Sequence, residues 1–182
     1  MKSLRDDPKA VGDSSRGIAA FHAGFRRGGA VGLLVLALGL AAALLLVLTE
    51  VTTLFSIDVA TATCSDLADP DLADRCDVTG GEQHSFALVP LAFLIGVMAV
   101  GAGVGGSRPA GIALVGAGVV ILVIALAFDL PDTTKTGEIG STFASAEAVK
   151  GPAFWFELIA GLLAAAAGML RLRYRAQVTR AT

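Results

Sequence analysis

The sequence predicts an all-α membrane protein: an antiparallel bundle of four transmembrane helices, with both termini cytoplasmic and a disulfide-tied first outer loop. Three observations carry that prediction. Of 182 residues, 54% are hydrophobic and only 16% charged, a balance more apolar than a soluble domain carries. The apolar residues gather in four runs, the first of which, Ala30 to Leu48, has nineteen residues without a charge, an amide or a hydroxyl. At about 1.5 Å per residue such a run covers a hydrocarbon core roughly 30 Å thick. The charges, finally, are sorted by segment: residues 1–29 hold six Lys/Arg against three Asp, while residues 49–85 hold eight acids against the single Arg75.

Residues 1–29 form a cytoplasmic tail. Its first part, to Arg16, is polar and contains Pro8, which predicts disorder. Gly17 to Arg27 sets Ile18, Phe21 and Phe25 at helical spacing beside His22, Arg26 and Arg27. That pattern fits either a short interfacial helix or an extension of the first span. Arg26 and Arg27 hold the near end of the first span, about residues 30–52, on the cytoplasmic side. A secretory signal is the alternative for this start, but the apolar core is longer than the roughly 7–15 residues of a signal core, and Thr49-Glu50-Val51 is no small-residue cleavage site. Cys64 lies too far beyond the core for a lipoprotein anchor.

The first outer loop, about residues 53–84, follows. Thr49 to Phe55 carries only Glu50 as a charge, so the helix is expected to run on toward Phe55. Beyond it Asp58, Asp66, Asp69, Asp71, Asp74, Asp77 and Glu82, with Pro70 and Gly80-Gly81, read as a solvated loop. The acids lack the order and the central glycine of a calcium-binding EF-hand. Cys64 and Cys76 are the only cysteines, and outside the cell a pair without competitors is expected to form a disulfide.

The second span covers about residues 85–106, with Pro90 expected to kink it. Ser107-Arg108-Pro109 makes a tight inner turn. The third span, about 109–128, closes at Asp129-Leu-Pro-Asp132 before a second outer loop, about 129–152, in which Ser141 to Lys150 reads as a short helix. The fourth span, about 153–170, starts with the aromatic belt Phe154-Trp155-Phe156. It ends at Arg171, Arg173 and Arg175, which anchor a cytoplasmic tail, 171–182. Gly32, Gly39, Gly101, Gly105, Ala113, Ala117, Ala160, Ala164 and Gly168 are the small residues expected at helix crossings. Gly101-Ala-Gly103-Val-Gly105-Gly106 matches a dinucleotide fingerprint formally, but follows no strand and has no acidic ribose partner.

One grouping points to chemistry. Glu50 ends the first span, His84 precedes the second, Asp129 ends the third, and Glu157 lies inside the fourth, all at the outer edge of the bundle. An ionisable side chain within a span turns inward or toward water and marks a candidate functional site. Three carboxylates near one imidazole suit a divalent metal or a shared proton. In the plainer reading, Glu50 and Glu157 hydrogen-bond loop backbone or reach the headgroups. No hydrolase elbow, zinc-protease helix or phosphate loop is present, so no catalytic, cofactor or metal-ligand set is assigned, and no cofactor is expected.

Four spans with a larger first outer loop holding Cys64 and Cys76 resemble the layout of claudin-type tetraspan proteins. The likeness is architectural: the only tryptophan is Trp155, and the first-loop Gly-Leu-Trp signature is absent. The chain is similar to disulfide-forming quinone reductases in span number, without their Cys-x-x-Cys. Alanine-, glycine- and valine-rich usage and the absence of asparagine fit a high-GC bacterium and its cytoplasmic membrane. The expected role is a non-enzymatic structural, accessory or partner-binding subunit. The alternatives are a proton- or ion-coupled transporter component and, third, a membrane-embedded enzyme. The partners expected are the lipid bilayer, another membrane or extracytoplasmic protein and a second copy of the chain; the terminal basic residues face anionic lipid and imply no nucleic acid.

Overall fold

A computed structural model describes residues 8–59, 62–63, 76–136 and 146–181. Helix α1, Pro8–Val51, is two helices joined at Gly29, whose φ of 55° and ψ of −158° are open to glycine and costly for other residues. The chain is thus helical from Pro8, which corrects the disorder expected there. Short strands follow: β1, Thr53–Val59; β2, Ala62–Thr63; and β3, Asp77–Thr79. Helix α2, Gly80–His84, leads to α3, Leu88–Gly103, and α4, Arg108–Val123. A π-helical turn, Ile124–Asp129, and a last turn, Leu130–Asp132, extend α4. Strand β4, Glu147–Lys150, and helix α5, Pro152–Ala181, complete the described chain.

Three helices are long and apolar enough to cross a membrane: Gly29–Val51, Arg108–Asp132 and Pro152–Tyr174. By these the chain is a multi-pass membrane protein. Leu88–Gly103 is a shorter apolar helix. It packs along α1, while α5 packs against both α1 and α4. In α1 the buried positions from Gly32 on are Gly32, Val35, Gly39, Ala42, Leu46, Thr49 and Glu50, and in α3 they are Leu88, Ala92, Ile95, Ala99, Ala102 and Gly103. Steps of three and four, as far as Thr49 and Ala102, make a narrow seam of the coiled-coil kind. Large apolar side chains point the other way, with Leu44 61% and Phe93 76% exposed, as suits a surface facing lipid rather than water.

Backbone contact sets the closest crossing. A Cβ on Gly103 would lie 2.7 Å from the Gly32 carbonyl oxygen, so neither partner has room for a side chain. Gly168 likewise meets the Gly111 backbone, and Ala160 and Ala164 are fully buried. Gly101 approaches Ala110. Gly105, expected at a crossing, is exposed and faces only the Gly101 backbone of its own segment; Gly103 makes the contact instead. Pro90 falls in the first turn of α3, where its missing amide costs no helical hydrogen bond, so the expected kink is absent.

The described parts of the two segments expected as outer loops are more ordered than a solvated loop. Strand β1 pairs antiparallel with three others: Ser56 opposes both Asp77 of β3 and Val149 of β4, and Asp58 opposes both Thr63 of β2 and Glu147 of β4. β2 and β3 therefore share one edge of β1, and β4 takes the other. The helix expected to reach Phe55 stops at Val51 because Thr53-Leu-Phe-Ser-Ile-Asp-Val favours a pleated surface, and Leu54 buries fully against Ala153 and Phe154. Glu147–Lys150, expected within a helix, is a strand because β1 supplies backbone partners. Cys76 is buried and is not a free thiol, and its carbonyl accepts the Ile57 amide at 2.9 Å. The expected partner, Cys64, lies outside the described residues.

Candidate functional site at the sheet-capped end of the bundle

Four elements bring the site together. Glu50 stands in the last turn of α1, Asp129 at the end of the π-helical turn, Glu157 in the second turn of α5, and His84 at the end of α2. Glu50 is 2% exposed, Asp129 and Glu157 are fully buried, and the His84 side chain is 11% exposed. His84, Asp129 and Glu157 each offer one ligand atom within 4.8 Å of the others. His84 Nε2 lies 3.6 Å from Asp129 Oδ2, an ion-pair distance and too long for a hydrogen bond.

The local chemistry explains why His84 is there. Thr79 starts α2 with a capping box: the Glu82 amide donates to Thr79 Oγ1 at 3.3 Å, and the Thr79 amide donates to Glu82 Oε2 at 2.8 Å. The Thr79 amide and the Thr79 hydroxyl, which donates to the same oxygen at 2.9 Å, hold the Glu82 carboxyl below its ordinary value of 4.5. Gly80 and Gly81 press on the Thr49 and Glu50 backbone, leaving no room for a Cβ. At its far end α2 is tied across the bundle by Gln83 Nε2, which donates to Asp132 Oδ2 at 2.8 Å. The chain then turns through Ser85 and Phe86, both left-handed with φ of 53° and 60°. Consecutive non-glycine residues in that region carry strain of about 1–3 kcal/mol each.

The site residues differ in how their oxygens are used. Glu50 Oε1 accepts the Leu88 amide at 2.7 Å, which satisfies a free N–H at the start of α3. Its second oxygen has no hydrogen-bond partner, nor do either oxygen of Asp129, either oxygen of Glu157, or His84 Nε2. Thr49 Oγ1, beside them, is held by the Leu45 carbonyl at 3.0 Å. The π-helical turn is marked by the Leu130 amide reaching back to the Ala125 carbonyl. Such wide turns recur at functional sites, and this one keeps Asp129 buried on the side of Ile121 and Ala125.

All four grouped residues therefore lie at one end of the bundle, and three converge on one point. Thr79, Gly80, Gly81 and Gln83 escaped the sequence reading, although Thr-Gly-Gly-Glu is a legible capping box. The acids of the first loop between residues 64 and 75, the basis of the calcium comparison, lie outside the described residues. At the opposite end Arg171, 9% exposed, packs its guanidinium on Gly106.

Comparison with protein-family models, with curated proteins and with solved structures finds no match.

Proposed function

We propose that this is a four-span protein of a bacterial cytoplasmic membrane whose working part is a cation-binding centre at the extracytoplasmic end, built from Glu50, His84, Asp129 and Glu157. The observation that carries this reading is the convergence of two fully buried, unpartnered carboxylates on one imidazole. Burying charge is costly unless it is paired. Among the described residues no lysine or arginine pairs with these acids. His84, at ion-pair distance from Asp129, supplies at most one positive charge and only when protonated, so a bound cation is the partner that would balance both acids, which favours the ion-coupled role over a passive bundle.

The topology follows from two further points. Helix α3 meets α1 at Gly32 through Gly103 and at Glu50 through Leu88, so sixteen residues of α3 cover nearly the same depth as the first span. That supports α3 as the fourth crossing. Arg108, Arg171 and Arg173 gather at the end away from the sheet, which the positive-inside rule places in the cytoplasm together with both termini. The sheet then lies outside, where Cys64 and Cys76 are expected to pair.

The accessory, partner-binding role is the second reading, favoured by the folded outer sheet. The two separate by experiment. The full-length protein in detergent is stripped with chelator, and its thermal unfolding is followed against sodium, potassium, magnesium, calcium, manganese and zinc, beside Glu157→Gln. The cation-binding reading expects at least one ion to raise the Tm of the parent protein and not of the variant. A Tm indifferent to all of them leaves the accessory role standing.

A further inference from the structure

We propose that the centre is a three-ligand site for a borderline divalent transition metal of the zinc type, with His84, Asp129 and Glu157 as ligands and Glu50 as a positioning residue. The inference rests on the cation-binding reading and names its ligand class.

Charge comes first. Asp129 and Glu157 are both fully buried, and their four oxygens find no donor group around them, which leaves the two carboxyls to each other. The two ligand carboxylates match the charge of one divalent ion, and the third acid, Glu50, has one oxygen held by the Leu88 amide; a monovalent ion would leave the three acids further from balance. The donor set comes next. Magnesium and calcium take six or more oxygens, often including carbonyls and waters. Here the group holds one imidazole and two carboxylates, a mixed nitrogen and oxygen set that suits zinc and its neighbours. Three protein ligands leave one position of a tetrahedron open, the pattern of zinc sites that bind water or a substrate.

Geometry agrees with that class. Ligand atoms around tetrahedral zinc stand about 3.4 Å apart, from bonds of about 2.0–2.1 Å. His84 Nε2 and Asp129 Oδ2 are already 3.6 Å apart, and the full set lies within 4.8 Å. His84 is the one ligand that reaches solvent, 11% exposed, so an ion would enter from its side. Glu50 does not need to ligate. With Oε1 on the Leu88 amide, it fixes the start of α3 beneath the connection that carries His84.

The test uses the full chain in detergent. Chelator-stripped protein is loaded with zinc, passed through gel filtration, and its metal content measured; cobalt is then substituted and its visible spectrum recorded. The expected result is one zinc per chain and a cobalt spectrum of mixed nitrogen and oxygen donors. His84→Gln, a change at the partly exposed ligand, should keep the helical circular dichroism and weaken zinc by more than the ~10–100-fold that loss of an outer hydrogen-bond partner costs. Glu157→Gln is the second variant. Zinc retained at parent affinity in both variants places the metal elsewhere and overturns the proposal. If calcium or magnesium stabilises the protein while zinc and cobalt do not bind, the metal class is wrong and the cation-binding reading survives. If no cation binds or stabilises, both fall.

Discussion

Glu50 Oε1 accepts the backbone amide of Leu88 at 2.7 Å, so a carboxylate at the end of α1 caps the start of α3 inside the protein. The contact couples the packing of the bundle to the geometry of the site. Glu50→Gln keeps an acceptor there, and Glu50→Leu removes it and strands a buried amide. The leucine variant should lose about 1–3 kcal/mol, with glutamine much nearer the parent. Denaturant titration of the detergent-solubilised protein measures both, and equal losses would show that the Leu88 amide contributes nothing.

The crossing of α1 and α3 at Gly32 and Gly103 makes a sharp comparison with Gly96. A Cβ at Gly103 meets the Gly32 carbonyl oxygen at 2.7 Å and Leu36 at 3.0 Å, whereas a Cβ at Gly96 meets nothing within 4 Å. Gly103→Ala should destabilise by about 1–3 kcal/mol through overpacking. Gly96→Ala should be neutral or stabilise by up to about 1 kcal/mol, the helix-propensity difference. Parallel unfolding curves settle the order.

Helix α2 should loosen in acid. The Thr79 amide and hydroxyl hold the Glu82 carboxyl below its ordinary value of 4.5. The stabilisation is therefore complete above that value and is lost as pH falls from it toward the lower value of the folded state. Hydrogen exchange of the amides from Gly80 to His84 should accelerate over that interval beyond its intrinsic pH dependence, and Glu82→Gln should remove the extra acceleration. Thr79→Ala should loosen the same amides by about 1 kcal/mol at neutral pH.

Much of this was legible in the residues, at a particular grain. Long uncharged runs gave three crossing helices because the bilayer imposes length and apolarity directly. That Glu50, His84, Asp129 and Glu157 share one end of the bundle was legible for the same reason, since each stands at the edge of such a run. Their convergence was not. It depends on the π-helical turn before Asp129, the left-handed pair Ser85 and Phe86, and the seating of Gly80 against Thr49, and none of these leaves a periodic trace. The sheet was missed because Thr53 to Val59 borders a helix without a break in apolarity, and Glu147 to Lys150 becomes a strand only through pairing with β1. Gly80-Gly81 looked like flexible punctuation and proved to be a close backbone contact.

The cysteines of the sheet-bearing segment offer a separate prediction. If Cys64 and Cys76 pair, as proposed, the parent protein should take up no maleimide until it is reduced and then take up two. The double serine variant should lose roughly 3 kcal/mol of stability, the scale expected for a loop of about 13 residues. Labelling before reduction would contradict the pairing.

The most direct measurement is anomalous diffraction at the zinc edge from crystals of zinc-loaded protein. A single peak about 2.0–2.2 Å from the His84 ring nitrogen and from one oxygen each of Asp129 and Glu157 is the expected result. A peak among the other acids of the segments between the helices, or none while the three side chains keep their present positions, would contradict it.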